Sequence, residues 1–128
     1  MSSILIVDDD EGMVETLSDI LMARRYDVST AESGERALAS VRRREPDVVL
    51  MDIKMPGLNG VQTLQAMKAI APRLKVIMMT AFTRDELVAE AQRAMPVAIV
   101  PKPLDLDHVL GLVDRAAQSR DDPSGARP

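Results

Sequence analysis

Hydrophobic residues along the chain fall into five short runs, separated by longer stretches in which apolar positions recur at helical spacing. The short runs are ILIV (4–7), DVSTA (27–31), DVVLM (47–51), KVIMM (75–79) and VAIV (97–100). The runs that begin at residues 4, 48, 76 and 97 do not alternate with polar residues, which is typical of strands covered on both faces. The pattern therefore predicts a parallel sheet of five strands with helices on each side.

The stretches between the runs predict helices that each bury one stripe of side chains. The four clearest stripes are Met13, Leu17, Ile20 and Leu21; Ala37, Leu38 and Val41; Val61, Leu64 and Met67; and Val109, Leu112, Val113 and Ala116. Segment 84–95 carries a weaker stripe and is predicted to be a helix that starts with a capping box of Thr83 and Glu86. Ser33 and Asp105 are expected to cap the second and last helices. The fold class is therefore α/β, with a strand and a helix repeated five times.

Composition places limits on the kind of protein. A chain of 128 residues with 46% hydrophobic and 28% charged residues suits one globular domain, which we expect over residues 1–119. Residues 120–128 contain Pro, Gly and Ser without apolar periodicity, so they are expected to form a flexible tail or linker. The chain has no cysteine and no apolar run long enough to span a membrane, which favours the cytoplasm. The net charge of −4 argues against direct nucleic-acid binding by this segment.

The first apolar run stops at three consecutive aspartates, Asp8, Asp9 and Asp10. Carboxylates placed side by side repel one another, so their presence indicates that a cation is bound nearby. In a parallel α/β sheet, ligands sit beyond the carboxyl ends of the strands, where Asp52 also falls. An oxygen-rich cluster of this kind suits Mg2+, which binds carboxylates, waters and phosphoryl oxygens. The sequence therefore predicts a magnesium site at this edge of the sheet.

Four motifs occur in order along the chain: VDDD (7–10), LMDIKMPGLNG (50–60), MTA (79–81) and PKPL (101–104). Each is common alone, but the ordered set closely resembles the receiver domains of two-component response regulators, over residues 3–118. The resemblance implies a flavodoxin-like three-layer sandwich of the (βα)5 type, with parallel strand order 2-1-3-4-5.

The resemblance also implies a role for each motif. Asp52 matches the residue that accepts a phosphoryl group from a phosphohistidine and becomes an aspartyl phosphate. Asp8 and Asp9 match the acidic pair that holds Mg2+ together with Asp52, and the backbone carbonyl of Lys54 completes the protein ligands. Asp10 is interpreted as a residue favoured by the dipole at the start of the first helix and not as a ligand.

Two further positions complete the implied phosphorylation site. Lys102 matches the lysine that pairs with the phosphoryl group, and the bond between Lys102 and Pro103 matches a cis peptide of the family. Thr80 matches the hydroxyl that turns toward the phosphoryl oxygen and draws its loop with it. The chain departs from many receivers at Ile99, where an aromatic residue is usual. Phe82 and Lys54 either influence how water reaches the phosphoryl group or serve packing and solvation, and both interpretations stay open.

The resulting hypothesis is a signalling module, not an enzyme acting on separate substrates. Its implied partners are a sensor histidine kinase or histidine phosphotransfer protein and a downstream effector or output domain, with a phosphorylation-dependent homodimer as a possibility. One alternative is a Mg2+-dependent phosphohydrolase that forms an aspartyl phosphate. Such enzymes, however, carry their nucleophile on the first strand, whereas Asp52 follows the third. A second alternative is a degenerate receiver that only mediates protein contacts, which the retention of the five site residues disfavours. His108, alone in the last helix, is predicted to be a surface residue.

Overall fold

Five strands and five helices alternate along the chain. The computed structural model describes residues 1–81 and 86–121, with side chains described as far as residue 118. The elements are β1 (Ser3–Val7), α1 (Glu11–Ala23), β2 (Asp27–Ala31), α2 (Gly34–Arg43), β3 (Val48–Asp52), α3 (Gly60–Ile70), β4 (Lys75–Thr80), α4 (Glu86–Arg93), β5 (Ala98–Pro101) and α5 (Leu106–Asp121). Every predicted strand and helix is present, with bounds that differ by a few residues at most. The predicted capping residue Thr83, Phe82 and the tail from residue 122 lie outside the described residues.

The strands form one parallel sheet in the order β2-β1-β3-β4-β5, as predicted. Val7 is in register with Met51, Asp52 with Met79, and Thr80 with Pro101. The fold is therefore a flavodoxin-like α/β sandwich. Because β1 and β3 are neighbours, their carboxyl ends lie side by side although some 40 residues separate them along the chain.

Two hydrophobic cores lie on opposite faces of the sheet. Alternate β1 residues point to opposite sides, so Leu5 packs in one core and Ile4 in the other. The first core contains the predicted stripes of α2 and α3 with Val88 and Ala91 of α4. The second contains the stripe of α5 and that of α1 except Ile20, which is half-buried and belongs to neither core. The prediction that the run 97–100 is covered on both faces is wrong for Val97, which is 46% exposed. The reason is that Val97 lies just before β5, and β5 is the edge strand with β4 as its one neighbour, so fewer elements surround this position.

Side chains cap several helices at their first turn. Ser33 accepts a hydrogen bond from the Arg36 backbone N–H (3.2 Å), and Asp105 accepts one from that of His108 (3.2 Å), so both predicted caps are confirmed. His108 is exposed, as predicted. Asn59 and Gln62 form a reciprocal capping box at the start of α3, with both bonds at 2.9 Å. None of the helices in the described ranges combines the length and the apolar character that a membrane crossing requires.

Candidate functional site

Three aspartate side chains meet at the carboxyl ends of β1 and β3. Asp8 and Asp9 directly follow β1, and Asp52 is the last residue of β3. One carboxylate oxygen of each lies within 4.8 Å of the others. Asp8 and Asp52 are buried, while Asp9 is exposed. The cluster therefore has an inner wall formed by two buried carboxylates and an outer wall formed by one that faces solvent.

Lys102 brings a positive charge to the two buried carboxylates. Its Nζ lies 3.0 Å from Oδ2 of Asp8 and 3.6 Å from Oδ1 of Asp52. The lysine directly follows β5, and its backbone N–H donates to the carbonyl of Thr80 at 2.7 Å. The peptide bond between Lys102 and Pro103 is cis, as expected from the resemblance. Lys102 thus joins the end of β5 to the ends of β1 and β3.

Three hydrogen bonds fix Asp8, whereas the carboxylate of Asp10, two residues further on, faces the start of α1. The Asp8 Oδ1 accepts the Asp10 backbone N–H at 3.0 Å, its Oδ2 accepts from Lys102, and its own N–H donates to the carbonyl of Ala31 at 3.2 Å. The Asp10 carboxylate instead caps α1 by accepting the N–H groups of Gly12 (3.0 Å) and Met13 (3.2 Å). This arrangement agrees with the prediction that Asp10 serves the helix start.

The surroundings of the site disfavour the ionised form of its buried carboxylate, Asp52. Burial, and to a smaller extent the nearby Asp8 carboxylate, raise the pKa of Asp52 to about 6 against the opposing effect of Lys102. Burial also disfavours the charged form of Lys102, but its hydrogen bond to Asp8 and the charge of Asp52 outweigh this effect, so its pKa is raised. A divalent cation beside Asp8, Asp9 and Asp52 would relieve the repulsion that one lysine leaves in place.

Thr80, Lys54 and Ile99 occupy the positions expected from the sequence. Thr80 ends β4, the neighbour of β3, and is 2% exposed. Lys54 lies two residues beyond β3 and has an exposed side chain. Ile99 lies within β5 and is half-buried. Phe82, for which two interpretations were open, is outside the described residues.

Two glycines shape the loop that carries the main chain from Asp52 to α3. Gly57 has φ +76°, a left-handed conformation that residues with a β-carbon rarely adopt. Gly60 begins α3 and donates its N–H to the carbonyl of Ile53 at 2.6 Å. A β-carbon on Gly60 would lie 2.4 Å from the carbonyl oxygen of Asp52, far inside van der Waals contact. The loop motif thus lets the helix start directly against the strand end that bears Asp52.

The donor set of the cluster is suited to one kind of ion. Three carboxylates offer oxygen atoms only, and their spacing leaves room for a hard cation with several waters. Asp8 also borders a groove of about 800 Å3 between α1 and α2, whose walls carry Glu11 and Glu15 on one side and Arg36 and Arg43 on the other. The groove reaches the cluster at Asp8 and is not lined by Asp52; the cluster faces solvent through the exposed Asp9.

Comparison with known proteins identifies the family. The family model described as "Response regulator receiver domain" matches residues 4–114. The chain therefore belongs to the response regulator receiver family. Sporulation initiation phosphotransferase F of Bacillus subtilis is 34% identical over 112 residues, covering 88% of this chain and 90% of that protein. A CheY-like receiver domain protein of Methanospirillum hungatei superimposes with a TM-score of 0.89 at 26% identity, covering 94% of this chain and 97% of that one.

Some relatives are much longer than this chain. The transcriptional regulatory protein ZraR of Salmonella typhimurium is 38% identical over 113 residues, which are 88% of this chain and 26% of that protein. The chain thus spans about a quarter of the length of this relative and nearly all of the Bacillus protein. Receiver domains similar to this one occur in both contexts.

Three features of the structure were not predicted from the sequence. The Asn59–Gln62 box has a local signature, Asn followed three residues later by Gln, that could have been noticed. The bond from Tyr26 to Asp114 and the contacts of Lys68 with the end of α4 join residues far apart in sequence. No local pattern announces such contacts, because they depend on how the helices are packed.

Proposed function

We propose that this receiver accepts a phosphoryl group on Asp52 from a phosphohistidine donor and uses the modification as a conformational switch. The observation that supports this most strongly is the cluster itself: Asp8, Asp9 and Asp52 lie within 4.8 Å of one another, and Lys102 bridges the two buried members. A nucleophilic carboxylate next to a fixed cation is what phosphoryl transfer to an aspartate requires. Membership of the receiver family agrees with this role.

Each residue then has a distinct task. A carboxylate oxygen of Asp52 attacks the phosphorus atom, the bond to the donor imidazole breaks, and the histidine leaves. Lys102 sits where it can hold a phosphoryl oxygen as an ion pair, in place of part of its contact with Asp52. Asp8 orients Lys102, and Asp8, Asp9, Asp52 and the Lys54 carbonyl are the proposed ligands of Mg2+. When bound, Mg2+ would neutralise charge that otherwise repels the incoming phosphate.

We propose that Thr80 transmits the effect of phosphorylation to the surface of the domain. Thr80 is buried at the end of β4, next to the strand that leads into Lys102, so its hydroxyl is placed to turn toward the new phosphate. Such a turn would shift the chain that follows β4 and hence the surface formed by α4, β5 and α5. A histidine kinase or histidine phosphotransfer protein is the proposed donor, and an effector or output domain is the proposed reader of that surface. Residues 1–119 are the proposed extent of the receiver domain.

Intact-mass measurement after incubation with acetyl phosphate and Mg2+ tests this function. The native chain should gain one phosphoryl group, about 80 Da by its chemistry, and the gain should disappear in Asp52→Asn and in a sample treated with a metal chelator. Glu45→Gln, which changes an exposed carboxylate in the loop before β3, at the opposite edge of the sheet from Asp52, should be phosphorylated like the native chain.

Two results would contradict the proposal. Equal phosphorylation of Asp52→Asn would place the acceptor elsewhere. No adduct in rapidly quenched native samples, combined with no spectral response to beryllofluoride, would leave a receiver that acts only through protein contacts. Turnover of para-nitrophenyl phosphate by the native chain would instead favour a phosphohydrolase.

A further inference from the structure

Helix α4 is joined to α3 at one end by a lysine. The Nζ of Lys68, in the last turn of α3, donates to the backbone carbonyls of Ala94 (2.9 Å) and Met95 (2.7 Å). Both carbonyls follow the last residue of α4, Arg93, where a helix has no internal donors left for its final carbonyl groups. A positive charge at this position also complements the negative end of the helix dipole.

The backbone at this junction has an unusual conformation that the lysine contact supports. Met95 has φ +62°, a left-handed conformation that favours glycine, although its side chain is 74% exposed and packs against little. Residues persist in this region of the backbone map when their surroundings determine them. The contacts that determine Met95 are its N–H bond to the carbonyl of Gln92 at 3.1 Å and the bond from Lys68 to its own carbonyl.

The chain just beyond the junction is also fixed. The backbone N–H of Val97 donates to the carbonyl of Val76 at 2.7 Å, which ties the end of the last crossover, just before β5, to β4. Within α4 itself, the buried residues are Val88 and Ala91, and Leu87 packs partly buried against the same core. The helix therefore rests on the sheet through a narrow contact, while its C-terminal end is held by charge-assisted hydrogen bonds from a neighbouring helix.

We propose that Lys68 is a positioning residue that makes the C-terminal end of α4 a fixed pivot. This inference rests on the proposed phosphorylation switch, because it states how that switch is transmitted. Thr80, which ends β4, precedes α4 along the chain, so a displacement that starts at the phosphorylation site reaches the helix from its N-terminal end. With Lys68 in place, the displacement tilts the first turns of α4 and leaves the region around Ala94 and Met95 unchanged.

Amide hydrogen exchange over residues 86–97, measured on the full chain with and without beryllofluoride and Mg2+, tests this pivot. In the native chain, beryllofluoride should change exchange in residues 86–90 and leave residues 94–97 within experimental error. In Lys68→Met without beryllofluoride, the amides of residues 94–97, namely those of Ala94, Met95 and Val97 because Pro96 has no N–H, should exchange roughly tenfold faster, since both hydrogen bonds from the charged Lys68 have been lost. With beryllofluoride, the change in this variant should extend along the whole helix.

Two further variants serve as controls. Lys68→Arg keeps the charge and several donors, so it should restore most of the protection of residues 94–97. Arg42→Met removes an exposed basic residue from the last turn of α2 and should leave exchange in α4 unchanged. Far-ultraviolet circular dichroism establishes that each variant is folded, and Lys68→Gln replaces Lys68→Met if the latter is not.

The outcomes separate the pivot from the switch itself. Equal beryllofluoride-induced changes at both ends of α4 in the native chain would overturn the pivot and leave the phosphorylation switch in place. Native exchange rates at residues 94–97 in Lys68→Met would overturn it as well. No response to beryllofluoride anywhere in the native chain, together with no phosphoryl adduct by mass, would overturn both proposals.

Discussion

The surroundings of one residue, Asp52, disfavour the ionised form of its carboxylate. It is 8% exposed, lies beside Asp8, and has a pKa raised to about 6. Lys102 offsets part of the repulsion but is shared with Asp8, to which it lies closer. A carboxylate in this environment is stabilised by a proton or by a bound cation.

The raised pKa of Asp52 predicts a pH dependence of stability in metal-free protein. A folded-state pKa of about 6 above the model-peptide value of 3.8 means that the folded chain binds this proton more tightly than the unfolded chain. The contribution of this proton to the free energy of unfolding is about 3 kcal/mol below pH 3.8. It is lost as the pH rises to about 6. Urea unfolding between pH 4 and 8 should show this loss in the native chain relative to Asp52→Asn. Parallel curves for the two proteins would refute the prediction.

At the scale of elements, the start of α3 is set by Gly60. A β-carbon at this position would approach the Ile53 Cα to 2.8 Å as well as the Asp52 carbonyl. Gly60→Ala should therefore displace the helix start and destabilise the fold by roughly 1–3 kcal/mol, and it should slow phosphorylation by acetyl phosphate. Gly111→Ala is the matched control, since its nearest neighbour would be 3.6 Å away on the flexible side chain of Arg115. This variant should be slightly stabilised, because alanine favours the helix.

The loop between α1 and β2 is joined to α5 by a small polar cluster. Asp114 accepts a hydrogen bond from the Tyr26 hydroxyl and an ion pair from Arg24 at 2.7 Å. Burial and the Asp114 carboxylate raise the pKa of Tyr26 to about 12. Tyr26→Phe should lower the free energy of unfolding by about 1 kcal/mol, measured in urea, without altering phosphorylation of Asp52. A changed rate of phosphorylation would show that this cluster is coupled to the site.

The sequence predicted the elements and the site better than it predicted the contacts between elements. The five strands and their order, the buried stripes, and the caps at Ser33 and Asp105 follow from periodicity, local chemistry and the family resemblance. The exposure of Val97 could not be predicted in this way, because an apolar run looks the same whether its strand lies at the edge or in the centre of the sheet. Nor could the contacts of Lys68 with α4, since a lysine near a helix end usually faces solvent.

For the whole molecule, the acidic cluster predicts that Mg2+ stabilises the folded state. An ion that binds only the folded chain adds about 1.4 kcal/mol at a concentration ten times its dissociation constant. Thermal unfolding at pH 7.5 should therefore move to higher temperature with added Mg2+ in the native chain. Asp9→Asn, which changes the exposed member of the proposed ligand set, should lose most of this shift. An undiminished shift in the variant would place the ion elsewhere.

The strand order has a consequence for the protein during its synthesis. Asp8 is made early, Asp52 must dock beside it through β3, and Lys102 arrives with the last strand. A nascent chain that ends before β5 therefore holds its carboxylates without their lysine partner. Competence to receive a phosphoryl group should appear only when nearly the whole domain has left the ribosome, so that incomplete chains do not draw phosphate from the signalling pathway.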